Sequence, residues 1–81
     1  MKVSLISPEG VLFEGEADFV SAPGKAGSLG ILDNHSALVT GLKKGDVIVR
    51  KSGEDQIFSL ETGIMEVGQN QVSILCELEN K

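Results

Sequence analysis

Apolar residues alternate with polar ones along much of the chain, at Val3 and Leu5, Val47 and Val49, Phe58 and Leu60, then Val72, Ile74, Cys76 and Leu78. A period of two puts such side chains on one side of an extended strand and their neighbours on the other, so each stretch reads as a half-buried β-strand. The last stretch is the plainest. Ser73, Glu77 and Glu79 hold the polar parity, and Leu75 is the one apolar residue on that side. Glycines at 10, 15, 24, 27, 30, 41, 45, 53, 63 and 68 divide the chain into intervals that suit strands better than helices.

Turn chemistry agrees with this reading. Ser7-Pro8-Glu9-Gly10 predicts a proline-initiated turn between two strands, and Lys51-Ser52-Gly53-Glu54-Asp55 predicts a hairpin tip. One stretch conflicts with it, because Ile31, Leu32, His35, Leu38, Val39 and Leu42 are spaced like a helix face, with Asp33 or Asn34 available as an N-cap. A helix there would end at Gly41 after barely two turns, too short to be stable without strong packing, so the reading is a turn followed by a strand. The expected fold is all-β, two packed antiparallel sheets forming a small β-sandwich, in one domain spanning residues 1–81.

Composition narrows the function more than the fold. The 81 residues carry twelve acidic and seven basic side chains, a formal net charge of −5, and three Phe with no Trp or Tyr. Acidity repels phosphate backbones and anionic headgroups, and without aromatic platforms single-stranded bases have little to stack on, so nucleic acid is excluded as the expected partner. Apolar runs such as Val11-Leu12-Phe13 fall far short of the roughly twenty residues of a spanning helix. Any membrane contact is therefore expected to pass through another protein. A single cysteine, Cys76, allows no internal disulfide and points to a reducing compartment.

The candidate chemistry is sparse. Gly10 to Gly15 has P-loop glycine spacing, but Glu16 and Ala17 stand where the phosphate-binding Lys and the magnesium-binding Ser/Thr belong. Gly24-Lys25-Ala26-Gly27 matches the GxxG loop of an RNA-binding KH module, yet that loop joins two helices and this one follows a strand-like segment ending in Pro23. His35 is the only histidine and Cys76 lies some forty positions away, so no metal site is expected. Asp33, His35 and Ser36 are hydrolase residue types too close in sequence to assemble a triad. Cys76 sits on an apolar parity and reads as a small buried hydrophobe. Lys43-Lys44 and Arg50-Lys51 read as solvated charges. No catalytic residue, cofactor site or small-molecule ligand is expected.

One loop resists dismissal. Pro23 to Gly30 holds three glycines in the seven residues from Gly24, an entropic cost that a plain linker avoids. Two readings stand: a tight corner of the sandwich, or a protruding loop whose backbone approaches a partner with Leu29 as an apolar contact.

The residue string itself adds a resemblance. Phe13-Glu-Gly15, Val20-Ser-Ala-Pro-Gly24, Gly27-Ser-Leu-Gly30-Ile31, His35-Ser-Ala-Leu38, Lys44-Gly45, Leu60-Glu-Thr-Gly63-Ile64-Met-Glu-Val67 and Val72-Ser-Ile-Leu75 follow one another in the order and spacing of the ε subunit of F-type ATP synthases, which the chain resembles over nearly its whole length. The resemblance implies a β-sandwich of about ten short strands and a non-catalytic part of the rotor. Such a subunit binds the γ subunit, rests on the ring of c subunits and couples proton translocation to ATP synthesis without making a bond itself. It further implies that the loop of Gly24, Gly27, Ser28, Leu29 and Gly30 faces the c-ring, with Ser28 at its tip where relatives often carry an acid. Ser7, His35 and Thr40 would face γ. The implied location is peripheral, on the cytoplasmic side of a bacterial inner membrane. Family members commonly add a C-terminal helical hairpin that inhibits hydrolysis or binds ATP, and for a chain that stops at Lys81 the expectation is a sandwich without it. The competing class is a lipoyl- or biotinyl-type carrier, for which Lys25 is the only tempting attachment site, though Gly24 and Ala26 are not that family's context.

Overall fold

The computed structural model describes residues 1–79. They form eight strands: β1 (Lys2–Ser7), β2 (Gly10–Glu16), β3 (Phe19–Gly24), β4 (Gly27–Ile31), β5 (Leu38–Leu42), β6 (Gly45–Lys51), β7 (Glu54–Gly68) and β8 (Gln71–Leu78). The expected domain runs to Lys81, and its last two residues lie outside those described. Pairings are antiparallel except between β1 and β8, which run parallel from Lys2 opposite Gln71 to Ile6 opposite Leu75.

Two layers share one hydrogen-bonded network. The first layer is ordered β2-β1-β8-β7-β5 and uses the second half of β7, whereas the second is ordered β4-β3-β6-β7 and uses the first half. Leu60 is the crossing point. It opposes Gly45 in one layer and Leu78 in the other, is fully buried, and is followed by a register shift that leaves Glu61 as an extra residue. A bulge of this kind bends and re-aims a strand, here from one sheet into the next. A second link closes the corner, where Gly24 of β3 pairs with Leu42 of β5.

The core fills from both layers: Val3, Leu5, Met65, Val72, Ile74 and Cys76 from the first, and Val20, Ala22, Ile31, Val47, Val49 and Leu60 from the second. Period-two burial is therefore as expected in β1, β6 and most of β8. Leu78 departs from it, being 37% exposed where β8 runs out past the core. The eight strands are consistent with the all-β sandwich of about ten short strands that the resemblance implies, and several glycines lie inside strands instead of between them. Gly63 sits within a continuous 15-residue β7, and Gly15, Gly30 and Gly41 within β2, β4 and β5. The turn at 33–34 followed by β5 is as expected, and no helix occurs over 31–42. At the β6–β7 tip Ser52 and Gly53 have φ of 53° and 78°, the twist that matches a two-residue hairpin loop to its strands.

Candidate interface

Strand alternation gives each layer an outer face, and the two faces differ. On the second layer, Asp46, Arg50, Asp55 and Ser59 point outward with Ile57. Arg50 Nε donates to Asp55 Oδ1 at 2.7 Å while its guanidinium lies 5.2 Å from the centre of the Phe19 ring. Ser59 Oγ donates to Asp46 Oδ1 at 2.8 Å, and Ile48 opposes Ile57 between the two polar pairs, so that face is mixed, one apolar pair flanked by internally paired polar residues.

On the first layer, one row across four neighbouring strands is apolar. Val11 of β2 opposes Ile6 of β1, Ile6 opposes Leu75 of β8, and Leu75 opposes Ile64 of β7. Directly paired residues share a face. All four are open, with exposures of 60%, 36%, 58% and 47%. Leu75, the apolar residue on the wrong parity, is thus the visible member of a row whose other members come from distant parts of the chain. Ile6, Leu75 and Ile64 line a shallow groove of about 420 Å³ with Ser7, Pro8, Thr62, Gly63, Cys76 and Glu77. A contiguous apolar patch on a strand face, rimmed by polar residues, marks a contact surface.

Ser7 is the buried polar residue of this groove. Its Oγ donates to Glu9 Oε1 at 3.1 Å and accepts from the Glu9 backbone N–H at 3.2 Å, which fixes the β1–β2 turn and holds the Glu9 carboxylate beside the groove. Burial pushes the Cys76 thiol up from its ordinary value, and the nearby Glu9 charge adds to that shift. Cys76 is therefore a protonated, weakly nucleophilic wall of the groove.

The glycine loop is a hairpin. Gly24 opposes Gly27, so the tip is Lys25-Ala26, and Ser28 lies one step into β4 opposite Pro23 instead of at the tip. A Cβ on Gly24 would stand 2.6 Å from the Gly27 carbonyl oxygen, and one on Gly30 would stand 3.0 Å from the Phe19 ring. Gly27 has φ of +140° and open space around it. Leu29 turns inward and packs on the core. The Lys25 N–H donates to the Gly41 carbonyl at 3.0 Å and the Lys43 N–H to the Pro23 carbonyl at 2.9 Å, so the hairpin is fastened to the end of β5. The Lys25 stem lies over Gly41, with Cδ 3.0 Å from where a Cβ of residue 41 would stand. A tight corner and a projecting tip are the same element here.

Ser7, His35 and Thr40 are not brought together. Ser7 ends β1, whereas His35 sits by Met1 and Asn70, at the strand's beginning. The half-buried His35 ring donates through Nδ1 to the Ser36 carbonyl at 2.8 Å, and Thr40 Oγ1 donates to the Gly41 carbonyl at 3.0 Å. The loop carrying His35 is tied down by the Met1 ammonium, which donates to Asp33 Oδ1 at 2.7 Å and to the Ala17 carbonyl at 3.0 Å. Ion pairing with Asp33 holds that ammonium above its ordinary pKa.

Residues 1–78 match the sequence profile of the ATP synthase Delta/Epsilon chain β-sandwich domain. The chain belongs to that family. Among its ε-chain relatives, that of Leptospira interrogans is 43% identical over 77 residues, covering 95% of this chain and 61% of the relative. That of Caulobacter vibrioides is 40% identical over 74 residues, covering 91% of this chain and 86% of the relative. The chain thus spans about three fifths of the length of the Leptospira relative. The same fold appears in chains of two solved mitochondrial ATP synthase assemblies. A chain of the Euglena gracilis OSCP/F1/c-ring structure superimposes with a TM-score of 0.85 at 19% identity, over 91% of this chain and 48% of that one. A chain of the Tetrahymena thermophila central stalk/c-ring structure gives 0.83 at 21%, over 95% and 63%. At these identities the structural likeness establishes the fold.

Proposed function

We propose that this domain is a non-catalytic rotor component of an F-type ATP synthase, joining the γ subunit to the c-ring in the central stalk and so coupling proton translocation to ATP synthesis. The observation that carries this reading is the Val11–Ile6–Leu75–Ile64 row: a family member with a complete core keeps four large apolar side chains on one open face, which a permanent protein partner would cover. Small size points the same way. A domain of this length buries only about 60–65% of its unfolded-chain surface, so a bound partner adds materially to its stability.

In this reading the apolar row and Ser7 meet γ. The β3–β4 hairpin, with Gly24, Gly27, Ser28, Leu29 and Gly30, is the element turned to the c-ring, while His35 flanks the γ contact from the other end of the sheet and Thr40, opposite Met65, stands one step from the row at Ile64. The complex is membrane-associated, and the domain sits peripherally on the cytoplasmic side of a bacterial inner membrane, touching the bilayer only through its partners. The reading concerns the sandwich alone. Its test is calorimetry with the cognate γ subunit: saturating γ raises the melting temperature by several degrees, and an unchanged melting temperature overturns the assignment.

A further inference from the structure

The groove under the apolar row does not end at Ser7. Pro8 and Glu77 also line a second hollow of about 440 Å³, whose other walls are Glu9, Leu78 and Glu79. The two hollows adjoin across these shared walls, and the trough they outline is apolar along Ile6, Leu75 and Ile64 and acidic between the β1–β2 turn and the end of β8. Glu79 is partly neutralised by Lys44 Nζ at 3.4 Å, but Glu9 and Glu77 meet no cation among the described residues. Glu9 is not a loose surface charge, since the buried Ser7 hydroxyl holds its carboxylate in place.

From this we infer that the trough is built for a partner segment that lays apolar side chains over the Ile6–Leu75–Ile64 row and places a lysine or arginine between Glu9 and Glu77. The inference rests on the rotor reading for the identity of the partner as γ, and adds the chemistry by which that partner is chosen. Covering the row strips water from the adjoining carboxylates, and two such groups brought together without a cation repel each other and oppose docking. A cation from the partner turns that penalty into attraction and sets the register of the docked segment. A neutral or acidic segment of equal hydrophobicity is rejected at the same end. Ser7 acts here as a positioning residue, through Glu9.

The experiment is titration calorimetry of this chain against its cognate γ subunit at low and high salt, with Glu9→Lys/Glu77→Lys as the principal variant. Both positions are exposed, so melting curves should show the variant folded. Expected is a loss of about tenfold or more in affinity at low salt, with the salt dependence of wild-type binding abolished or inverted. Ser7→Ala should weaken binding in the wild-type background and have no further effect in Glu9→Gln, a non-additivity that a purely structural role would not produce. Affinity that is unchanged by the charge reversal and indifferent to salt overturns the cation assignment and leaves the rotor reading standing. Failure of wild-type chain to bind γ at all overturns both.

Discussion

The β3–β4 hairpin and the apolar row of the first layer present opposite kinds of evidence. In the sequence, the hairpin is conspicuous, with three glycines close together, and the row is scattered over residues 6, 11, 64 and 75. In the fold, the glycines have local explanations: Gly24 faces a carbonyl oxygen at a distance no Cβ tolerates, and Gly30 lies under the Phe19 ring. The row has no such internal explanation, because the core is closed without it. A glycine can be demanded by its own fold, whereas four large apolar side chains held open on one face call for something outside it. The contact surface is therefore argued best where the sequence is quietest.

The sharpest way to break this contrast is to charge the row. Leu75→Glu together with Ile64→Glu should lower affinity for γ by about a hundredfold, since central apolar anchors dominate interface energies. The same change should alter folding stability by only about 1 kcal/mol, because both side chains already face water. Calorimetric affinity and a urea melt on the same samples separate the two effects. Equal losses in both would mean that the row serves the fold and not a partner.

The hairpin predicts the reverse ratio. Gly24→Ala pushes a methyl into backbone, which cannot swing aside, and should destabilise the domain by about 1–3 kcal/mol. Gly27→Ala meets open space and only the conformational strain of a positive φ, so about 1 kcal/mol is expected. Both are read by urea denaturation. Docking on c-ring reconstituted in vesicles should fall no further than the unfolded fraction explains. Loss beyond that, in a variant that remains folded, would mean that the c-ring is met by the backbone of these glycines themselves and not only by the hairpin's side chains.

What the sequence made legible was whatever depends on near neighbours. Parity alone places Val72, Ile74 and Cys76 inside, Pro8 and Gly53 mark their turns, and Gly41 argues correctly against a helix over 31–42. What it hid depends on pairing between remote strands. Ile6 follows Leu5 directly and looks like part of an apolar pair, and only the alignment of β1 with β8 sets it beside Leu75. The bulge at Glu61, which lets one strand serve two sheets, has no local signature, so Gly63 read as an interruption when it is the middle of β7. Leu75 was the single clue to the contact face, and one residue out of phase names no surface until its neighbours are known. The same limit applies to Ser7 and His35, which a shared role would group but the strand direction places at opposite ends of β1.

The smallest expected effect concerns the end of the sheet remote from the groove. With Asp33 and Glu16 beside it, the Met1 ammonium of the 81-residue chain has a folded pKa raised above its ordinary value near 8.0. The stability it contributes is fully present below that value and is lost as pH rises through the folded pKa. Cys76, likewise raised above 9.0, makes the fold lose stability in the same direction at still higher pH. A melting profile from pH 7 to 10 therefore mixes the two, and the difference between wild type and Asp33→Asn isolates the first. The variant should melt slightly lower at pH 7, and the gap should close as the ammonium titrates, while Cys76→Ala should leave that gap unaffected. A gap that persists unchanged at pH 10 would mean that Asp33 steadies the loop carrying His35 by some contact other than the ion pair, and that the amino terminus is a bystander.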